Sequence, residues 1–226
     1  MKFLLAVFSL SSCLWAEGPR LFYSKSFPGS VPPYVGIHLD RSGAGEYRET
    51  PDEEPVRFQL KQSDVDEIYA LSEKLGKFGR KLESGLKVAN MGMKTFRWEE
   101  GSTRNEVKFN YSEDPDARAL ADWFERISES EQHLINLERA AKYDKLGVNK
   151  ALLMLQSALE RKRLVALDQY LPMLDRIAKN ETYLNMARER ARGLAGYIRN
   201  PPAAAEAAAG GNGPPPAAAA NTPQNP

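Results

Sequence analysis

The sequence predicts an α+β fold: an antiparallel sheet of two β-hairpins, each followed by a helix, then an all-α helical bundle or short α-solenoid, and a disordered C-terminal tail. Three observations support this prediction. Between residues 34 and 111, short segments alternate apolar and polar residues, which is the period of a half-buried strand. From residue 114 to 200, apolar residues recur every three or four positions, as in amphipathic helices. Residues 201–226 are almost entirely Ala, Pro, Gly, Asn and Gln, a composition typical of disorder.

The first hairpin is predicted from the alternation of Val35, Ile37 and Leu39 with polar or small residues. Residues 42–45, Ser-Gly-Ala-Gly, supply a turn, and the chain returns as a second strand through Tyr47. The preceding segment, residues 17–33, contains Pro-Gly and Pro-Pro pairs among scattered aromatic residues, and we interpret it as an extended lead-in.

The first helix is predicted to begin near Ser63, which has Asp66 three residues later in a variant of the capping box. Gly76 is placed to end it. The inward stripe of this helix is Val65, Ile68, Leu71 and Leu75.

The second hairpin is predicted from the alternation of Phe96 and Trp98 on one strand and of Val107 and Phe109 on the other. A long helix then begins at Asp114, since Asp is a good N-cap and Pro115 suits the first helical position. Its apolar stripe continues to about Lys142.

After the long helix, the sequence up to residue 200 predicts helices joined by short polar segments. Three apolar stripes are predicted, beginning at Val148, Leu167 and Leu184. The resulting organisation is a lead-in at residues 17–33, a β-β-α-β-β-α module at 34–127, a helical bundle at 128–200 that continues the long helix from 114, and a disordered tail at 201–226.

The order of elements resembles small secreted bacterial modules of unknown function. The matching features are the strand from Val35 to Leu39, the turn from Gly43 to Gly45, Tyr47, the helix from Ser63 and the hairpin from Phe96 to Phe109. The resemblance covers about residues 34–127 and implies a fold, without implying a catalytic residue.

The N-terminal residues 1–16 have the layout of a secretory signal peptide: one early positive charge, an apolar run and small residues. The run is too short to span a bilayer. We expect cleavage after Ala16 and a periplasmic or extracellular protein. The alternative is a membrane-anchored lipoprotein, because residues 10–13, Leu-Ser-Ser-Cys, resemble a lipobox ending at Cys13. Cys13 is the only cysteine, so cleavage after Ala16 would leave no thiol for disulfides or catalysis.

Neither the composition nor any sequence motif indicates an enzyme site. The formal net charge of +1 argues against a dedicated nucleic-acid binder. His38 and His133 are about ninety residues apart and are expected on solvated faces, with no second histidine at metal-binding spacing. We therefore predict no catalytic, cofactor-binding or metal-binding residue.

Two short stretches could form an interaction surface. Arg161, Lys162 and Arg163 lie in a predicted turn and could face an acidic partner or anionic lipid head groups. Met91 and Met93 lie in an irregular segment and could make flexible apolar contacts.

Since the strongest patterns are apolar stripes, the first functional hypothesis is an exported, non-enzymatic protein-association or structural module with an unidentified protein partner. Two alternatives belong to other classes. One is a secreted hydrolase that uses carboxylates in a groove between the two parts, near residues 87–97. The other is an enzyme inhibitor that inserts the loop at residues 79–92.

Overall fold

A computed structural model describes residues 18–201. The leader predicted at residues 1–16, with Cys13, and the tail beyond residue 201 lie outside this range. The strands are β1 Arg20–Ser26, β2 Tyr34–Asp40, β3 Ala44–Arg48, β4 Val56–Gln59, β5 Met93–Glu100 and β6 Thr103–Phe109. The α-helices are α1 Gln62–Lys74, α2 Pro115–Tyr143, α3 Val148–Glu160, α4 Leu171–Lys179 and α5 Asn185–Arg199.

The six strands form one antiparallel sheet in the order β4-β3-β2-β1-β5-β6. This confirms the predicted α+β class. Strand β1 lies within the segment that we interpreted as a lead-in, and it is a central strand of the sheet. The difference has a local cause: Leu21, Phe22 and Tyr23 form a continuous apolar run that hides the alternation, although only Leu21 and Tyr23 are buried in the core.

Helices α1 and α2 cover one face of the sheet. The buried side chains of that face come from alternate positions of the strands, as expected for pleated backbone. They include Leu21, Tyr23, Ile37, Leu39, Tyr47, Phe96 and Trp98. On the opposite face, Phe22, His38 and Arg97 are half-buried. Helices α1 and α2 therefore pack on the face of the sheet that carries its buried apolar side chains.

The starts of α1 and α2 differ in how well the sequence marks them. Asp114 caps α2 as predicted, its carboxylate accepting hydrogen bonds from the N–H groups of Asp116 and Ala117. The predicted capping box of α1 is wrong, because the helix begins at Gln62 after Lys61, which makes no side-chain cap. Strand β4 runs straight into α1 through the buried Leu60, whose N–H donates to the Gly43 carbonyl.

Helix α2 connects two hydrophobic clusters. Its first half, up to Ile127, packs with the sheet and α1. From Leu134 onward it packs with α3, α4 and α5. After α3 the chain returns to the sheet side, since Val165 and Ala166 belong to the first cluster while Leu164 belongs to the second. The sheet and the helical part therefore meet along the middle of α2.

Hydrogen bonds reinforce this meeting point. Ser130 of α2 accepts from the Val165 N–H at its hydroxyl and from the Tyr170 hydroxyl at its carbonyl. Both contacts are buried and join positions 35 and 40 residues apart in the chain. They hold the segment after α3 against the middle of the long helix.

Candidate functional site

A polar pocket of about 320 Å³ lies where the sheet meets α2. We call it the junction pocket. Its strand side is formed by Tyr23, Lys25, Phe27 and Val35, and its helix side by Glu125, Ser128, Glu129 and Gln132. Pro32 and its neighbours in the β1–β2 loop and Arg163 from the segment after α3 complete the wall. The pocket thus draws on three parts of the chain that are distant in sequence.

Three ion pairs set the electrostatics of the junction pocket. Lys25 Nζ lies 2.9 Å from Glu125 Oε1. Arg163 bonds Glu129 at 2.9 Å and Asp122 at 2.6 Å, and these two carboxylates raise its pKa against the opposing effect of burial. Each cation that lines the pocket therefore already faces a carboxylate, and neither sign of charge stands unbalanced on the wall.

The Tyr23 hydroxyl is the most unusual group of the pocket. The side chain is only 1% exposed, and its ring stacks on Phe124 with centroids 4.7 Å apart. Within residues 18–201 this hydroxyl has no hydrogen-bond partner. Burial, followed by the nearby charge of Glu125, raises the pKa of Tyr23, so the group stays a neutral phenol that can both donate and accept.

Two further polar side chains of α2 line the pocket. Gln132 donates from its amide nitrogen to the Ser128 hydroxyl at 2.9 Å and to the Tyr47 hydroxyl at 3.3 Å. These contacts orient the amide, because its nitrogen is held on the protein side. The Ser128 hydroxyl also interacts with the Tyr47 hydroxyl, and no hydrogen bond within residues 18–201 uses the carbonyl oxygen of Gln132.

The predicted basic surface is divided by the structure. Arg163 enters the junction pocket wall, and Arg161 lies 3.7 Å from Glu129, so both fold back toward α2. Lys162 has a positive φ of 56° at the end of α3 and is exposed. Of the three residues, only Lys162 forms no salt bridge with the described part of the chain.

Met93 begins β5 and Met91 lies two residues before it, and these residues are 46% and 49% exposed respectively. Met91 lines a second depression of about 330 Å³, which also contains Lys25 and Glu125. The Lys25–Glu125 pair therefore lines both depressions. Met91 lines one of them, and Arg163 lines the other. No signal in the sequence indicated that these two stretches would lie on either side of one ion pair.

The loop at residues 79–92 lies along the end of β6. Asn110 accepts from the Met91 N–H and donates to the Ala89 carbonyl, while Ser84 N–H donates to the Tyr111 carbonyl. Leu86 and Val88 are exposed between these anchor points. The loop is therefore held at both ends, with a short exposed apolar middle.

The two histidines are each half-buried. The His38 ring lies 4.8 Å from the Phe22 ring on the sheet face away from the helices. Burial lowers the pKa of both histidines, with the Arg48 charge adding to the effect at His38. His38 lies on β2 and His133 on α2, and neither lines the junction pocket.

A second surface, which the sequence analysis did not identify, lies between α3 and α5. We call it the helical groove. It has a volume of about 490 Å³ and a mainly apolar lining that includes Leu159, Met186, Leu194 and Tyr197. Met186 and Tyr197 are 60% and 45% exposed. A Cβ added at Gly193, which also lines the groove, would meet no atom within 4 Å. The groove is therefore an apolar floor with space for another side chain.

The rim of the helical groove carries carboxylates. Glu160 accepts from Gln156, and Glu189 accepts from Asn185. Neither carboxylate forms a salt bridge with another residue of the described part of the chain. The Arg190 guanidinium is bonded to Asn149 and Gln156. The groove thus has two acidic groups at its edge whose charge no cation balances by direct contact.

Metal sites and membrane-spanning helices were also sought in the described part of the chain. Across residues 18–201, no cluster of three or more metal-ligating side chains is placed to hold an ion. No helix in this range combines the length and apolar character needed to cross a membrane.

No protein-family model matches the chain, and a comparison with curated proteins found no significant match.

Proposed function

We propose that this protein is an exported, non-enzymatic association module that binds a protein partner through the helical groove. The observation that carries this proposal is the exposure of Met186 and Tyr197 over an apolar floor. Large apolar side chains clustered at an exposed concave surface are typical of interaction sites, whereas single exposed apolar residues are not. Burial of such side chains by a partner releases ordered water and favours association.

The chemistry of the groove favours one kind of occupant. An amphipathic helix could place its apolar face against Leu159, Leu194 and Tyr197 and its flanking Lys or Arg side chains near Glu160 and Glu189. The open space over Gly193 would admit one side chain of that helix. We therefore propose a partner segment that is helical, apolar on one face and basic at its flanks.

The test uses the full mature chain as bait for proteins from its native compartment, followed by crosslinking and mass spectrometry. The test variant is Met186→Glu with Tyr197→Glu, at two exposed positions where the fold should tolerate charge. The control is Leu146→Glu, because Leu146 is 74% exposed and lies outside the groove. We expect a partner crosslinked to residues 156–197 by the wild type and the control, and lost with the double variant.

Capture of a protein that crosslinks elsewhere would not support the proposal. Retention of the same partner by the double variant would contradict it. Binding should also weaken as salt is raised, since the proposed flanking contacts are between exposed charges.

Export is the second part of the proposal and rests on the leader at residues 1–16. We propose a bacterial protein of the periplasm or the medium. Mass spectrometry of the protein recovered from its source should give a mature N-terminus at Glu17. A chain that begins with a lipid-modified Cys13 would instead establish the lipoprotein alternative, and an intact Met1 would contradict export.

The hydrolase and inhibitor alternatives stay predictions. For the hydrolase, the relevant observation is that Glu125 and Glu129 both line the junction pocket, although no residue of the predicted groove at 87–97 lines it. For the inhibitor, it is the exposed middle of the 79–92 loop. Turnover of a substrate that Glu129→Gln abolishes would support the first, and inhibition lost with Leu86→Asp would support the second.

A further inference from the structure

The face of the sheet away from α1 and α2, which we call the open face, carries one row of side chains that crosses all six strands. Phe22 and His38 are opposite each other on the two central strands, with ring centroids 4.8 Å apart. The strand registers extend this row to both edges of the sheet. From β4 to β6 its members are Arg57, Glu46, His38, Phe22, Arg97 and Glu106. Positions that are equally distant from the centre of the row therefore carry opposite charges.

The centre of the open face is aromatic, and its margin is charged. The Arg97 guanidinium carbon lies 4.4 Å from the centroid of the Phe22 ring. The Tyr34 ring covers Gly36, since a Cβ added at Gly36 would lie 2.8 Å from the Tyr34 hydroxyl. Phe22, Tyr34 and His38 are all half-buried, so part of each ring is exposed. Aromatic and Arg side chains inside a polar rim are the usual arrangement of a protein interface.

A second copy of the chain would complement the row. In a dimer whose two-fold axis runs along the strands, between β1 and β2, β4 faces β6 of the other copy, β3 faces β5, and β2 faces β1. Every charged member of the row then faces an opposite charge, and the two central rings face each other. The facing pairs are Arg57 with Glu106, Glu46 with Arg97, and His38 with Phe22.

The neighbouring rows fit the same arrangement. Arg20 and Asp40 are opposite each other on β1 and β2, so each would face the other residue of the second copy. In the row on the other side, Arg48 of β3 would face Thr95 of β5. A two-fold axis across the strands would instead place each charge opposite its own copy, and like charges that face each other repel. The charges of the open face therefore favour one geometry of dimer.

The area of the open face is sufficient for a weak dimer. Strands about 4.8 Å apart, with a rise of about 3.4 Å per residue, give a six-stranded sheet of this kind a face on the order of 600 Å². Two copies would bury about 1,200 Å² in total, which is the lower limit of stable interfaces. Charges within the face already form pairs, such as Arg97 with Glu106 at 2.8 Å, and their desolvation limits the affinity. These properties predict a reversible dimer with a micromolar Kd.

We propose that the chain forms a two-fold dimer in which the open faces of two copies pack together, with β4 opposite β6 and β3 opposite β5. This inference goes beyond the helical groove, which lies between α3 and α5. The Met186→Glu, Tyr197→Glu double variant should therefore still form the dimer. Either proposal can fail while the other holds.

The experiment is analytical ultracentrifugation of the full mature chain from about 1 μM to about 1 mM, at low salt and at about 0.5 M salt. We expect a monomer–dimer equilibrium that weakens as salt is raised, because the facing charges lie at an exposed surface. Arg57→Glu and Glu106→Lys each place like charges opposite each other at two symmetric contacts. Each variant alone should weaken dimerisation about tenfold or more.

An equimolar mixture of these two variants tests the geometry itself. In a mixed dimer, the new carboxylate at position 57 faces the new ammonium at position 106, and the other contact keeps the wild-type Arg57 and Glu106. The mixture should therefore recover about the wild-type Kd. The matched control is Arg118→Glu, at an exposed position of α2, which makes the same change of charge and should leave the Kd unchanged.

Several results would overturn the proposal. They are a chain that stays monomeric at about 1 mM, a dimer whose Kd neither variant changes, and a mixture that associates no more tightly than the single variants. The first result would leave the open face to solvent or to a different protein, and the second would place the contact between copies elsewhere. Phe22→Thr provides a further variant if Glu106→Lys does not fold, since Thr suits a strand and the change removes the central ring. It should also weaken dimerisation.

Discussion

The Gln169 side-chain amide donates a 2.8 Å hydrogen bond to Glu131 Oε1, in a fully buried position on α2. Within the described residues, Glu131 Oε2 and Gln169 Oε1 have no partner. These are the two atoms that a protonated carboxyl group facing an amide would join. Burial, with a smaller contribution from Glu138, raises the pKa of Glu131 to about 7.

The first prediction concerns pH. A Glu131 pKa of about 7 in the folded chain, against 4.5 for an unperturbed Glu, means that the folded state holds one more proton between these values. The free energy of unfolding should therefore fall as pH rises from about 4.5 to about 7. The full loss is roughly 3 kcal/mol, since one unit of pKa difference corresponds to about 1.4 kcal/mol. Glu131→Gln should abolish this slope and raise the free energy of unfolding at pH 8 by about 1–3 kcal/mol.

Urea denaturation at several pH values from about 4.5 to about 8 checks this prediction. Gln169→Leu is the complementary variant, because it removes the donor that faces the carboxylate. It should destabilise the protein more at pH 8 than at pH 5. A slope that Glu131→Gln leaves unchanged would show that other groups carry it.

The second prediction concerns the start of α2. Asp114 accepts from two backbone N–H groups and pairs with Arg80, and this pairing, followed by the two backbone hydrogen bonds, lowers its pKa. Asp114→Ala should lower the free energy of unfolding by about 1–2 kcal/mol, as loss of a cap does. Asp114→Asn keeps an N-cap acceptor and should lose less. Equal losses in the two variants, measured by thermal denaturation, would mean that the Arg80 contact matters more than the cap.

The third prediction compares two glycines. A Cβ at Gly45 of β3 would overlap the ring of Phe58, which is only 6% exposed. Gly45→Ala should therefore destabilise the protein by about 1–3 kcal/mol, since a packed core resists added volume. Gly196 of α5 has no atom within 4 Å of an added Cβ. Gly196→Ala should stabilise the protein by about 0.5–1 kcal/mol, because Ala favours helix. Calorimetry of both variants measures the opposite signs.

The fourth prediction concerns the C-terminal tail. The sequence predicts disorder there, since Ala, Pro and Gly offer too little apolar surface to offset the entropy of ordering. Deletion of residues 201–226 should leave the Tm unchanged. A large drop in Tm would mean that the tail packs on the folded part.

Local signals in the sequence were sufficient for the α+β class, the β2–β3 and β5–β6 hairpins, and the start of α2 at Asp114. Each depends on residues that are close in the chain: alternation within a strand, or a cap next to the N–H groups that it satisfies. Strand β1 was not predicted, because its apolar run shows no alternation of apolar and polar residues. The start of α1 at Gln62 lies within one residue of the predicted Ser63, but the predicted capping box is wrong, because Lys61 at the N-cap makes no side-chain hydrogen bond and β4 leads directly into the helix through Leu60.

The candidate sites could not be predicted from the sequence, for a different reason. Lys25 and Glu125 are 100 residues apart, and Arg163 meets Asp122 across 41 residues. No local pattern encodes such pairs, because they arise only when β1, α2 and the segment after α3 pack together. By itself, the sequence determined the period of each element and therefore its apolar face. Only the tertiary structure decided that Tyr23 would be buried beside a cavity with its hydroxyl unpaired, since long-range packing selects which side chains share a space.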